Sequence, residues 1–326
     1  MTIKVKKNIA VVGCGEWGKN LIRNFSELGG LFSVCDADPQ TAQKYAEKYN
    51  VKNLSFAETI NHPDISGVVL VVPAKLHSSM AIEVINEGKH VFVEKPLSTS
   101  MEEAIMVNNA LKKKNTKLMT GHLMQFHPIF KKILSIVDAG EIGELLYIKS
   151  SRLSLGKVRS NEDVVWSFAP HDISMILSLA REEPDKVSAN SISILRNERA
   201  DAANIHLQFK SGLKSDILVS WFNANKEVKL EVHGSEGILV FDDTRTWSEK
   251  LAIHPYKVQY ENKGIKVDKS YHKYLQIPEE EPLKIECQHF IDIIKNDAEV
   301  LTDIKEGMKV VSVLSSVTQC YQKQRI

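Results

Sequence analysis

Between residues 8 and 121 the chain alternates short, continuously apolar runs with stretches whose apolar positions recur every three or four residues. The runs in "NIAVVG", "LFSVCD", "SGVVLVVP", "HVFVEKP" and "KLMTG" predict strands, and the periodic stretches between them predict helices. In "EWGKNLIRNFSELG", Trp17, Leu21, Phe25 and Leu28 share one helical face. "PQTAQKYAEKYN" opens with Pro39 in its first turn, "HSSMAIEVINEGK" follows, and "SMEEAIMVNNALKKKN" has Ser100 as N-cap with Glu103 completing a capping box. Strands that are apolar throughout must be buried on both faces, so this half predicts a doubly wound parallel sheet.

After Gly121 the pattern changes. A helix is expected over 128–138, and then "LLYIKSSRLSL", "KVSANSISILR", "AANIHLQFKSGLKSDILVSWF" and "KEVKLEVHGSEGILVFDD" alternate apolar and polar positions around glycine-containing turns. That grammar predicts a mainly antiparallel sheet with one open face. "EPLKIECQHFIDIIKN" and "DIKEGMKVVSVLSSVTQCYQ" return to helical spacing. The fold class is α/β, with residues 1–121 as one domain and 122–326 as a second.

With 42 Lys+Arg against 41 Asp+Glu in 326 residues, the formal net charge is +1, and no global field recruits nucleic acid or an anionic membrane. Cys14, Cys35, Cys287 and Cys320 lack metal-ligand spacing, so reduced thiols and no metal site are expected. The opening apolar run is too short for a signal-peptide core and no later stretch approaches a membrane span, which predicts a cytoplasmic protein.

"GCGEWG" sets Gly13, Gly15 and Gly18 at GxGxxG spacing between a strand and a helix, enclosing Glu16 and Trp17. In that context the motif predicts a Rossmann dinucleotide site: a tight turn at Gly13, backbone approach to a pyrophosphate at Gly15, close helix packing at Gly18, and an anion at the helix N-terminus. Asp36 ends the second strand, placed to accept from ribose hydroxyls; with Asp38 nearby and no cation beside them, NAD is expected over NADP. Strand "HVFVEKP" ends at Glu94-Lys95-Pro96, at the carboxyl edge where such sheets bind ligands, so Lys95 is expected at the nicotinamide end, oriented by Pro96, through a peptide bond that proline allows to be cis. On spacing alone Lys95 reads equally as a surface cation paired with Glu94. His171, just before the apolar run "DISMILSL", is expected at a helix start; alone it reads as a capping or core residue, and with its usual pKa it can take a proton at neutral pH while the adjacent Asp172 orients the ring.

"GCGEWG", "VVPAKLHSSMA", "HVFVEKPLSTS", "TGHLMQFHP" and "APHDIS" occur in an order and spacing that resembles the Gfo/Idh/MocA oxidoreductase family across the whole chain. The resemblance implies a Rossmann domain followed by an α/β domain on an open-faced sheet used for oligomer contacts. It also implies Lys95 beside the nicotinamide and taking part in catalysis, His171 facing substrate and exchanging the hydroxyl proton, and Pro73 and His77 bordering the nicotinamide ribose, although His77 can equally cap its own helix. His122 and His127 line the crevice or serve structure. Ser167 stands where many relatives carry Asp, which removes a carboxylate from the proton chemistry.

"RLSLGKVRSNEDVVWSFAPHD" places Arg152, Lys157 and Arg159 shortly before His171, where cations can grip a diphosphate. With "GEWGKNLIRNF" and "EPLKIECQHF" this stretch is similar to the nucleotide-sugar branch, which oxidises the 3-hydroxyl of UDP-N-acetylglucosamine or its uronic acid ahead of a PLP aminotransferase, in cell-surface polysaccharide or lipid A biosynthesis. A homodimer or homotetramer is implied. Two other readings stand beside this one: a dehydrogenase or ketoreductase for inositol, a dihydrodiol or a free or dTDP-linked sugar, and a non-catalytic NAD-binding regulator. Against the last stand Lys95 and His171, both retained, and the absence of a basic recognition surface.

Overall fold

The computed structural model describes residues 6–156, 158–159, 162–195, 199–261 and 264–323. In chain order the elements are β1 (Ile9–Val12), α1 (Gly18–Glu27), β2 (Leu31–Cys35), α2 (Pro39–Tyr49), β3 (Lys52–Asn53), α3 (Phe56–Asn61), β4 (Gly67–Leu70), α4 (His77–Asn86), β5 (His90–Glu94), α5 (Met101–Leu111) and β6 (Leu118–Gly121). They continue with α6 (Pro128–Asp138), β7 (Leu145–Leu155), α7 (Val164–Ala180), β8 (Lys186–Ile192), β9 (Ala202–Gln208), β10 (Lys214–Ser220), β11 (Phe222–Gly234), β12 (Gly237–Asp242), β13 (Leu251–Glu261), β14 (Gly264–Lys269), β15 (Lys273–Tyr274), α8 (Pro282–Asn296) and α9 (Ile304–Lys323). Two compact units result: Met1–Phe126 with Glu280–Val311, and His127–Glu279 with Ser312–Ile326.

The first unit is a six-stranded sheet in the order β3-β2-β1-β4-β5-β6 with every pairing parallel. Its central strands are buried along their whole length, as continuous apolar runs require when helices cover both faces. α1 sets Leu21, Ile22 and Phe25 against the sheet. The late helix α8 joins the same core: Phe290 packs edge-on against Phe25 and Phe92, at centroid distances of 6.2 and 5.7 Å. Each such aromatic contact adds about 0.5–1.5 kcal/mol beyond its buried area. The segment after α8 is bonded to β6, Thr302 donating its hydroxyl to the Thr120 carbonyl at 2.7 Å and accepting the Thr120 N–H on its own carbonyl at 2.8 Å.

Two local details differ from the expected ones. Ser100 caps α5 by accepting the Glu103 N–H, but Glu103 does not return to Ser100; its carboxylate takes the N–H and hydroxyl of Thr99, at 3.0 and 2.9 Å. The reciprocal box forms instead at α3, between Ser55 and Glu58, a helix that the sequence pattern left unread.

The second unit is a sheet in the order β14-β13-β12-β11-β7-β10-β9-β8, with β15 paired to β13. Among the pairings between described residues β10 with β7 is parallel and the rest are antiparallel. Burial alternates: Ala203, Ile205 and Leu207 of β9 and Ser215, Ile217 and Val219 of β10 are buried, while His206, Asp216 and Leu218 lie on the opposite face. α7 packs on β7, β9 and β10. The other face shows Leu218, Val258, Ile265 and Val267 as exposed apolar residues, and carries a polar knot in which the Tyr147 hydroxyl donates to Asp216 at 2.5 Å and His206 pairs with the same carboxylate. Among the described residues no helix is long and apolar enough to cross a membrane.

Candidate functional site

The first unit gathers its candidate residues at the carboxyl ends of β1, β2, β4 and β5. Gly13 adopts φ +103°, and a Cβ there would lie 2.3 Å from the Val71 carbonyl oxygen; a Cβ on Gly18 would lie 1.9 Å from the Gly13 carbonyl oxygen. Only glycine closes this turn so tightly onto β4 and the start of α1. At Gly15, by contrast, a Cβ meets nothing within 4 Å. The backbone is open there, beside a helix whose N-terminus has no side-chain cap. Unsatisfied N–H groups and the helix dipole make such a terminus attractive to a pyrophosphate.

Asp36 joins the turn to the end of β2, accepting the Cys14 N–H at 2.6 Å and the Asp38 N–H at 2.9 Å. Asp38 is committed to α2 as its N-cap, with the Gln40 and Thr41 amides at 3.3 and 3.2 Å and the Thr41 hydroxyl at 2.6 Å. No Lys or Arg is bonded to either carboxylate among the described residues, so the pocket edge keeps the negative character that suits ribose hydroxyls and opposes a 2′-phosphate. These features fit a dinucleotide.

Trp17 is tied to the far side of the site. Its indole N–H donates to Glu94 Oε1 at 2.6 Å, and Glu94 Oε2 accepts the Lys95 N–H at 3.1 Å. Burial pushes the Glu94 carboxyl up, while Trp17's donation, Lys95 and His122 pull it down. Lys95 is half-buried, and the Lys95–Pro96 peptide is cis. His77 is buried and does not cap α4: its ring nitrogens lie 2.7 Å from the Pro96 carbonyl and 2.9 Å from the Val72 carbonyl, so the ring braces the backbone beside Lys95. Pro73 is exposed and starts the short turn that carries His77. Glu16 is exposed and pairs with Lys19. His122, also buried, bonds Glu306 through Nδ1 at 2.5 Å.

In the second unit His171 does not start a helix. α7 begins at Val164, capped by Asp163, which accepts the Trp166 N–H at 3.1 Å. Pro170 lies inside the helix, where a proline costs one backbone hydrogen bond. His171 is therefore a mid-helix residue held on a rigid element, with Ser167 one turn earlier on the same face. Asp172 points elsewhere: it is buried and accepts from Arg152 Nε at 2.8 Å, Arg152 Nη2 at 3.3 Å and the Ser150 hydroxyl at 2.6 Å. Consecutive helical residues diverge by about 100°, so these bonds bind α7 to β7. The bidentate ion pair occupies Arg152, leaving Arg159 as an exposed cation that pairs with Glu162 at 3.1 Å. Lys157 lies outside the described residues. His127 caps α6 by accepting the Ile129 N–H at 3.2 Å and stacks on Trp247.

Spacing gave no signal for Ser150, Glu286 or Glu306. Ser150 is one polar residue in an alternating strand, and the two glutamates sit in helices far along the chain from the partners they approach.

Residues 7–122 match the family model described as an oxidoreductase family with an NAD-binding Rossmann fold, and residues 130–240 match the GFO/IDH/MocA C-terminal domain. The scyllo-inositol 2-dehydrogenase (NAD(+)) of Bacillus subtilis is 27% identical over 316 residues, covering 90% of this chain and 88% of that protein. The UDP-N-acetylglucosamine 3-dehydrogenase of Acidithiobacillus ferrooxidans is 24% identical over 211 residues, 64% of this chain and 66% of that one. A solved structure of UDP-N-acetylglucosamine 3-dehydrogenase GnnA from that organism superposes with a TM-score of 0.83 at 20% identity, covering 97% of this chain and 98% of the other, a likeness of fold. With both domain models matched in order along the sequence, the chain belongs to the Gfo/Idh/MocA oxidoreductase family and is an NAD-dependent oxidoreductase.

Proposed function

We propose that this oxidoreductase is a sugar dehydrogenase that oxidises the 3-hydroxyl of a UDP-N-acetylhexosamine, UDP-N-acetylglucosamine or its uronic acid, to the 3-keto sugar. Bound NAD supplies the hydride acceptor. His171 takes the hydroxyl proton as the C3 hydride leaves, and Lys95 steadies the oxygen as charge develops on it, so that one C=O forms while one proton and one hydride depart. The observation that carries this chemistry is the fixing of Lys95 at the end of β5, with Glu94 bonded to its amide and His77 bonded to the carbonyl of the next residue. Backbone held from both sides gives the lysine side chain a fixed origin, which supports a preorganised role in the reaction.

The nucleotide-sugar assignment draws support from the segments around residues 152–172 and from the relative that acts on UDP-N-acetylglucosamine. A second reading, an inositol or related cyclitol, is favoured by the longer match to the scyllo-inositol enzyme and by the commitment of Arg152 to Asp172, which withdraws one cation from a diphosphate grip. We place the reaction ahead of a PLP aminotransferase, and assign the exposed apolar face of the second unit's sheet to a homodimer or homotetramer, which light scattering resolves.

The deciding experiment incubates the protein with NAD and a panel of UDP-sugars and cyclitols, adding a PLP aminotransferase and glutamate to draw an unfavourable oxidation forward, with products identified by mass. A 3-amino UDP-sugar supports the nucleotide-sugar reading. Turnover of cyclitols alone, with every UDP-sugar inert, transfers the assignment to the second reading.

A further inference from the structure

Beneath the Trp17–Glu94 link lies a second carboxyl group that catalysis as described does not use. Glu286, on the face of α8 turned into the first unit's core, is 0% exposed, and neither of its oxygens has a hydrogen-bond partner among the described residues. Glu94 is 8% exposed and receives two N–H groups. A Cβ built on Gly121 would sit 3.0 Å from the Glu94 carboxyl carbon, so backbone closes that side. Burial first and the neighbouring Glu94 second push Glu286 well above the usual carboxyl range.

Phe92 of β5 meets Phe290 of α8 at a centroid distance of 5.7 Å; Glu94 stands two residues after Phe92 on the same strand face and Glu286 one turn before Phe290 on the same buried helix face, so the packing of β5 on α8 brings the two carboxyl groups together. Two neighbouring carboxylates in such a core are strongly opposed to both being ionised, and their protons come off in steps that belong to the pair. Which one keeps the proton follows from partners: Glu94 has the indole, the Lys95 amide and the neighbouring Lys95 ammonium, and Glu286 has none of these. The remaining titratable groups around the pair are Cys287 on α8, Glu281 at the N-cap of α8, Arg23 on α1, and, beyond them, His122 with Glu306. The Cys287 thiol stays protonated, pushed well up chiefly by burial, and Arg23 is engaged by Glu281. The balance in the core is thus one negative charge and one stored proton.

We propose that Glu94 and Glu286 are a proton-linked charge compensator for the cofactor: the pair holds one proton in the free protein and when NADH is bound, and releases it when the positively charged oxidised nicotinamide binds beside Lys95. The inference rests on the reading that places Lys95 at the nicotinamide. An added positive charge favours the second carboxylate for the same reason that a lysine lowers a neighbouring acid. The Glu286 O–H bond then breaks heterolytically, its electron pair stays on the carboxylate, and the proton leaves to solvent. Reduction of the cofactor removes the positive charge, and the pair takes a proton back. Such a pair makes the preference for oxidised over reduced cofactor depend on pH, tightening NAD binding roughly tenfold per pH unit wherever a whole proton is released.

Calorimetric titration of the full chain with NAD, and separately with NADH, in phosphate and in Tris at one pH counts the protons released. The expected result is release on NAD binding, none on NADH binding, and loss of the difference in Glu286→Gln, which still binds both. Equal proton release for the two cofactors in the wild type overturns the proposal, as does undiminished release in Glu286→Gln. The wild-type comparison stands by itself should the variant fail to fold. If NAD binds with the expected release but Lys95→Met binds it identically and turns over normally, the placement of Lys95 fails while the pair survives.

Discussion

Trp17 and Glu94 are 77 residues apart and joined by one 2.6 Å hydrogen bond between an indole N–H and a buried carboxylate oxygen. The bond links the glycine turn that would hold a pyrophosphate to the strand end that carries Lys95. A hydrogen bond to a charged group contributes about 1.5–3 kcal/mol, enough to set the position of a side chain that is 41% exposed.

Trp17→Phe keeps an aromatic ring and deletes only the donor. Its dissociation constant for NAD, followed by NADH fluorescence competition, is expected to rise roughly tenfold, consistent with loss of one such bond. An unchanged constant would show that the link is structural only.

Asp36→Ala removes both the ribose partner and the acceptor for the Cys14 and Asp38 amides. KM for NAD should rise and the preference for NAD over NADP should narrow, since a 2′-phosphate no longer meets a carboxylate. Unaltered cofactor kinetics would remove Asp36 from the site.

Lys95→Ala and His171→Ala are each expected to lower kcat by about 10²–10⁴-fold, the usual range for a lost acid–base or charge-stabilising group, while NAD binding measured by calorimetry changes little. Near-normal turnover in either variant takes that residue out of the mechanism.

Arg152 and Asp172 test whether the second unit's pair holds α7 to β7. Removing one partner strands a buried charge at a cost of about 3–5 kcal/mol, so Asp172→Ala should lower the thermal midpoint sharply. Arg152→Met with Asp172→Leu should recover much of the loss. A small effect of the single change would mean that Asp172 is not fixed by Arg152.

His127 gives the protein an acid-side weakness. Burial holds its ring down to about 4 in the folded state, against about 6.5 unfolded. The unfolded chain therefore binds more protons between those values, and stability falls as pH drops through that window. The loss is about 3 kcal/mol at most. His127→Asn keeps an N-cap side chain and is expected to flatten the decline between pH 6.5 and 4 in thermal melts; a slope equal to that of the wild type would assign the acid sensitivity to other groups.

How far the sequence could be read depended on the range of the interactions. The parallel strands of the first unit other than the two-residue, exposed β3, with α1, α2, α4 and α6, are encoded by local periodicity, and the glycine turn by steric needs at two positions, so each is visible in a window of a dozen residues. The start of α7 was not, because Pro170 looks like a boundary and the cap at Asp163 lies seven residues before it. Adjacency in sequence suggested that Asp172 orients His171; helical geometry turns the two side chains apart and gives Asp172 to a strand residue 20 positions away. The strands β13 to β15 carry a weaker alternation and went unread. Nothing local marks Glu286 as a core acid, since its meaning comes from Glu94, which stands 192 residues earlier on another element.

The return of α8 to the first unit has a consequence for biosynthesis. Phe290 fills the space between Phe25 and Phe92, so the nucleotide-binding unit cannot complete its core while the chain emerging from the ribosome ends anywhere short of α8. The residues that form the glycine turn are translated first, yet they acquire their finished support almost last, since a nascent chain halted at Gly121 has Phe25 and Phe92 without the aromatic ring that packs on both.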